Sequence, residues 1–85
     1  MNSDIEIQAN YLAQQWYNLP VGERPEIQYL LPQYLHLFPR QEDQEVFLRE
    51  ALRIARELIA SPRNQADKSE SFTFFEEIVQ EQLNK

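Results

Sequence analysis

The chain has 85 residues, 42% hydrophobic and 26% charged, a composition suited to one domain with a single modest core rather than a disordered chain. Its net charge of −6, from 14 acidic and 8 basic residues spread along the chain, repels nucleic-acid phosphates and anionic membranes and turns attention to protein partners. There is no cysteine, which excludes disulfides, thiolate metal sites and cysteine catalysis.

The N-terminus, Met1-Asn2-Ser3-Asp4-Ile5-Glu6, lacks the basic region and apolar run of a signal peptide. No uninterrupted apolar stretch approaches the roughly 20 residues that span a bilayer. A cytoplasmic protein is the expectation. A first helix is expected from Asp4 to Asn18. Ser3 and Glu6 have the spacing of a capping box. Ile5, Ala9, Leu12, Ala13, Trp16 and Leu19 recur at helical steps and share one face. Ile7, Tyr11 and Tyr17 fall off that stripe. Pro20 ends the pattern, and the tight connection that follows holds Gly22, the single glycine.

A second helical region starts near Pro25, a good first-turn residue. Ile27, Leu30, Leu31, Tyr34, Leu35, Leu37 and Phe38 form its apolar face, with Tyr29 and His36 pointing away. Pro32 removes the bond to Gln28 and crowds that carbonyl. The region is therefore one helix kinked at Pro32, which we favour, or two short helices.

The strongest helical pattern runs from Gln41 to Ala60. Glu42, Asp43 and Glu45 crowd its first turns, where negative charge suits the helix dipole. Glu45–Arg49 and Arg53–Glu57 have the i,i+4 spacing of ion pairs. The apolar arc from Phe47 to Ile59 is too wide for one neighbour, so this helix is expected at the centre of the fold.

Residues 61–70 have almost nothing to bury and read as a flexible loop. A last helix follows over about Phe72 to Leu83. Ser69, Ser71 or Thr73 are candidate caps, and Thr73 with Glu76 has capping-box spacing. Phe72, Phe75, Val79 and Leu83 share a face, while Phe74 lies well round from it. With three valines and one threonine the chain is poor material for strands. The fold class is all-α: a small bundle of four helices, or five if Pro32 breaks the second, in a single domain over 1–85.

The residues suggest no catalytic chemistry. His36, the single histidine, has no carboxylate three or four positions away, so no metal site is expected there. Glu42, Asp43 and Glu45 do not match a calcium loop. Glu76, Glu77 and Glu81 read as a solvated helix face, and the serines sit at caps or in loops. There is no glycine-rich phosphate loop. Arg40, Arg49, Arg53 and Arg56 form the one basic feature, and Glu45, Glu50 and Glu57 beside them neutralise it. No catalytic residue, metal or cofactor is expected, and no enzyme.

The aromatic load is 12%, more than a chain this short hides easily. Trp16, Tyr34, Phe38, Phe47, Phe72 and Phe75 are expected inside. Ile7, Tyr11, Tyr17, Tyr29 and Phe74 are left over and form the expected partner-binding set. The reading is a non-catalytic protein-binding module, acting as a small regulator, adaptor or inhibitor. Its partner is another protein or a second copy in a homodimer, with neither nucleic acid nor membrane. A structural subunit or homo-oligomeric assembly component is the alternative. A nucleic-acid mimic, or an enzyme whose site is shared across a dimer, fits less well.

Overall fold

The structure is a computed structural model. It describes residues 2–19, 26–60 and 69–84, and for Asn2, Ser3, Ser69 and Glu70 the backbone alone. The connection at 20–25 and residues 61–68 of the expected flexible loop lie outside this set, as does the expected helix start at Pro25.

Among the described residues the chain forms four helices and no strand: α1 (Asn2–Asn18), α2 (Glu26–Leu35), α3 (Gln41–Ala60) and α4 (Ser69–Leu83). The all-α four-helix fold is the one the hydrophobic periodicity asks for. α3 is the central helix. It packs along α1 and α4, and α2 lies against α1. None of these helices is long and apolar enough to cross a membrane.

The core follows from the helical stripes. Ile5, Ala9, Leu12, Ala13 and Trp16 of α1 meet Phe47, Leu48, Ala51, Leu52 and Ala55 of α3 in one buried cluster. Alanines at 9, 13, 51 and 55, all without exposed surface, allow the two helix backbones to approach closely. α4 closes the cluster with Phe75, Ile78 and Val79, and α2 adds Ile27 and Leu31. Trp16 stacks on Phe75 with ring centroids 5.1 Å apart and meets Phe72 edge-on at 6.0 Å. Phe47 lies between Tyr34, at 5.7 Å, and Phe38, at 5.2 Å.

Several element boundaries differ from the expectation. α1 begins at Asn2 rather than Asp4, so Ser3 lies inside the first turn and not at the cap; helix ends are soft by a residue or two. α2 runs as one helix through Pro32, which is exposed, as is Gln28, whose carbonyl loses its helical donor there. It stops at Leu35, short of Leu37. The chain then tightens into i→i+3 turns, with Leu37 N–H donating to the Tyr34 carbonyl and Phe38 N–H to that of Leu35, both at 3.0 Å. This turn carries Phe38 into the core and leaves Leu37 56% exposed, against its expected place on the apolar face. Gln44 of α3 covers the freed carbonyls, its Nε2 donating to Phe38 O at 2.8 Å and to Leu35 O at 3.4 Å.

α4 starts at Ser69, a turn earlier than Phe72. Trp16 Nε1 donates to both the carbonyl and the hydroxyl of the buried Ser71, at 3.3 and 3.1 Å. This bond ties the first turn of α4 to α1. Ser71 and Thr73 therefore sit within the helix and not at its cap.

Candidate functional site

Five large apolar residues among those described stand exposed: Ile7, Tyr11, Tyr29, Leu37 and Val46. All but Val46 lie on α1, on α2 or in the turn that ends α2. Ile7 and Tyr11 are one turn apart on α1, at 48% and 55% exposure, and Tyr29 on α2 is 75% exposed. On a wheel of about 100° per residue these three lie nearly opposite the core direction of their helices.

Tyr17 and Phe74 depart from the expectation. Both are half-buried and pack against the core. Each lies about 100° from the buried centre of its helix, a flank position that a second neighbour covers. Tyr17 meets the edge of Trp16 at 6.1 Å. Of the expected partner-binding set, the structure leaves Ile7, Tyr11 and Tyr29 at the surface and withdraws Tyr17 and Phe74 into the flanks.

A groove runs along the seam between α1 and α2. Its largest hollow, about 500 Å³, is lined by Tyr11, Gln14, Gln15, Asn18 and Leu19 from α1 and by Glu26, Leu30 and Tyr34 from α2. A second hollow of about 310 Å³ shares Gln15, Leu30 and Tyr34 with it and adds Gln33 and Leu37. A third, of about 340 Å³, shares Leu37 and continues to Asp4, Ile5, Gln8, Phe38 and Asp43. The three hollows thus follow one another along α1 and α2, each sharing at least one lining residue with the next. The two helices run antiparallel along them, since Asn18 and Glu26 meet at one end and Asp4 and Leu37 at the other.

Local sequence places these side chains. Asp4, Gln8, Tyr11, Gln15 and Asn18 follow steps of four, three, four and three residues, which is one stripe of α1 well round from its apolar face. Glu26, Leu30, Tyr34 and Leu37 make the facing row. Inside the groove the Tyr34 hydroxyl donates to Gln15 Oε1, linking the two helices. Partial burial pushes the Tyr34 phenol above its ordinary value of 10.0, so it stays a neutral donor well past physiological pH.

The groove's functional residues were only partly visible in the sequence. Leu30, Tyr34 and Leu37 read as the apolar face of the second helix, with Tyr34 inside; Leu30 and Tyr34 are half-buried against the core and also line the groove, and Leu37 lines it from an exposed position. The signal that marks it is the amide-rich stripe on α1. A search for apolar periodicity passes over it, because Gln8, Gln15 and Asn18 look like ordinary solvated positions.

The opposite side of the bundle is different in kind. Arg53 pairs with Glu50, and with Glu57 at 2.7 Å. Arg56 Nη2 donates to Glu76 Oε2 of α4 at 2.9 Å and lies 5.9 Å from the Phe72 ring centroid. Hydrogen bonding from Arg53 is the main cause that holds the Glu50 carboxyl below its ordinary value. The expected Glu45–Arg49 pair is not among the ion pairs of the described residues. The arginine stripe is thus a salt-laced outer face. Among the described residues no three histidine, aspartate or glutamate side chains converge on a point that could hold a metal ion.

No protein-family model matches the chain, and no curated protein and no solved structure is detectably similar to it.

Proposed function

We propose that this chain is a non-catalytic protein-binding module, a small regulator, adaptor or inhibitor that engages another protein along the α1–α2 face. One observation carries the reading: the exposed large apolar side chains gather there. Tyr11 and Leu37 line the groove and Ile7 and Tyr29 stand exposed on the same two helices, whereas the outer face of α3 and α4 is occupied by ion pairs. Scattered apolar residues are ordinary on a protein surface, but exposed apolar residues that line a concave seam are the pattern of a docking face.

The lining of the groove supports binding in preference to reaction. Between its ends, where the carboxylates of Glu26, Asp4 and Asp43 stand, its polar groups are amides and phenols, which recognise by hydrogen bonding. General acid–base catalysis needs a proton acceptor poised near neutral pH beside a reacting group. Glu50, whose proton affinity is altered, serves an ion pair on α3 and lies outside the groove.

A photo-crosslinking amino acid placed at Tyr11, and separately at Arg53 on the outer face of α3, tests this in the native host. The expected result is a discrete adduct with a second protein from position 11 and none from position 53. Equal adducts from both positions, or none from position 11, would overturn the reading.

A further inference from the structure

The α1–α2 groove has a charge pattern that specifies its occupant more narrowly. α1 and α2 contain no lysine or arginine at all; their charged residues are Asp4, Glu6 and Glu26. Glu26 lines one end of the groove, and Asp4 and Asp43 line the other. Between them the lining is Tyr11, Gln15, Leu30, Tyr34 and Leu37. Among the described residues no basic side chain lines any of the three hollows. The nearest arginine in sequence to the Asp43 end, Arg40, faces Glu42 at 3.6 Å.

We infer that the groove receives an amphipathic helix of another protein, with aliphatic or aromatic anchors in its middle and lysine or arginine at both ends. This deepens the protein-binding reading above and rests on it. The stripe from Asp4 to Asn18 is about 21 Å long at 1.5 Å per residue, which matches a helix of about 14 residues. Such a helix lays residues at i, i+3, i+4 and i+7 against Tyr11, Leu30 and Leu37. Its basic ends meet Asp4 and Asp43 on one side and Glu26 on the other. At the rim of an interface such charges act on encounter rate and selectivity more than on final affinity.

The same pattern disfavours a second copy of this chain as occupant. A two-fold axis sets the same surface against itself. Two α1–α2 faces would then meet with carboxylates and no basic residue on either helix, and like charges so placed oppose association. Free nucleic acid and anionic lipid are disfavoured for the same reason.

The test is selection from a displayed library of 14-residue helical peptides in which the central anchors and both ends are varied. The full chain serves as bait. The expected binders carry lysine or arginine at both ends. Their binding is lost on Leu37→Glu, a substitution at an exposed position, and kept on Arg53→Gln on the far side. Asp4→Lys with Glu26→Lys should weaken them roughly threefold to fivefold per reversed charge and should steepen no salt dependence. Binders without basic ends, binders indifferent to Leu37→Glu, or no binders at all would overturn the inference. A homodimer in sedimentation that Leu37→Glu dissociates would overturn it too. In each of these cases an adduct with another protein from position 11 still upholds the broader reading, and its absence removes both.

Discussion

Trp16 shows how one residue joins several elements. Its indole buries against Phe75 and Phe72 of α4 while its N–H finds two acceptors on Ser71. A buried indole without a partner for that N–H would lose more than the bond itself, because the donor would be stripped of water. Ser71→Ala removes the closer acceptor and leaves the carbonyl in place. We expect a loss of about 0.5–1.5 kcal/mol, read from the urea midpoint with Trp16 fluorescence as the signal. An unchanged midpoint would mean that the carbonyl alone satisfies the indole. The residue scale also explains why Tyr17 and Phe74 were misplaced. A wheel separates opposite poles well, as Ile7, Tyr11 and Tyr29 show. At the flanks, burial depends on whether a second helix lies alongside, and local spacing carries no information about that.

At the scale of elements, α3 has the simplest account. Good helix formers, acids in the first turn and a wide apolar arc all point to the same helix, Gln41–Ala60. Its burial grades along the arc: Leu52 is buried, whereas Leu58 is only partly covered. Leu52→Ala should therefore cost about 2–5 kcal/mol and Leu58→Ala clearly less. Comparing the two chemical denaturation midpoints checks this, and equal losses would show that the C-terminal turns of α3 are as enclosed as its middle. α2 is the weaker element. It has ten residues with Pro32 inside, and isolated helices of that length are marginal in water. It is held by Ile27 and Leu31 in the core, by the Tyr34–Gln15 link and by Gln44 on the Leu35 carbonyl. The groove exists because α2 touches α1 along one line, with side chains such as Gln15 and Gln33 that do not fill the space beside it.

For the whole molecule, the radius of gyration of 12.3 Å is close to the roughly 12 Å expected of a compact chain of this length. One cluster of buried residues draws on all four helices, and among the described residues there is no second core that could hold part of the chain folded. Unfolding should therefore be cooperative. Trp16 fluorescence reports tertiary packing between α1 and α4, and far-ultraviolet circular dichroism reports helix content. The two urea curves should superimpose. A helical signal that outlasts the Trp16 signal would show that some helices survive separation from the core. The charge distribution belongs to this scale as well. Arg53 and Arg56 of α3 pair with nearby carboxylates, whereas α1 and α2 keep carboxylates without basic neighbours on their own helices. The molecule thus presents a neutralised side and an acidic, grooved side.

The sequence by itself determined the all-α class, the four helical segments, the exact extent of α3, its central place and most of the buried residues. These follow from composition, helical periodicity and proline positions, which are properties of neighbours along the chain. It also singled out Ile7, Tyr11 and Tyr29, because they lie opposite their helices' apolar stripes. Only the tertiary structure decided the rest. The early start of α4 depends on Ser71 meeting Trp16, 55 positions away. The exposure of Leu37 depends on a turn that Gln44 caps from α3. The groove depends on how α1 and α2 lie against each other, and its lining joins residues that share no period in the sequence. Contacts of that kind are set by packing in three dimensions, which one-dimensional spacing does not encode.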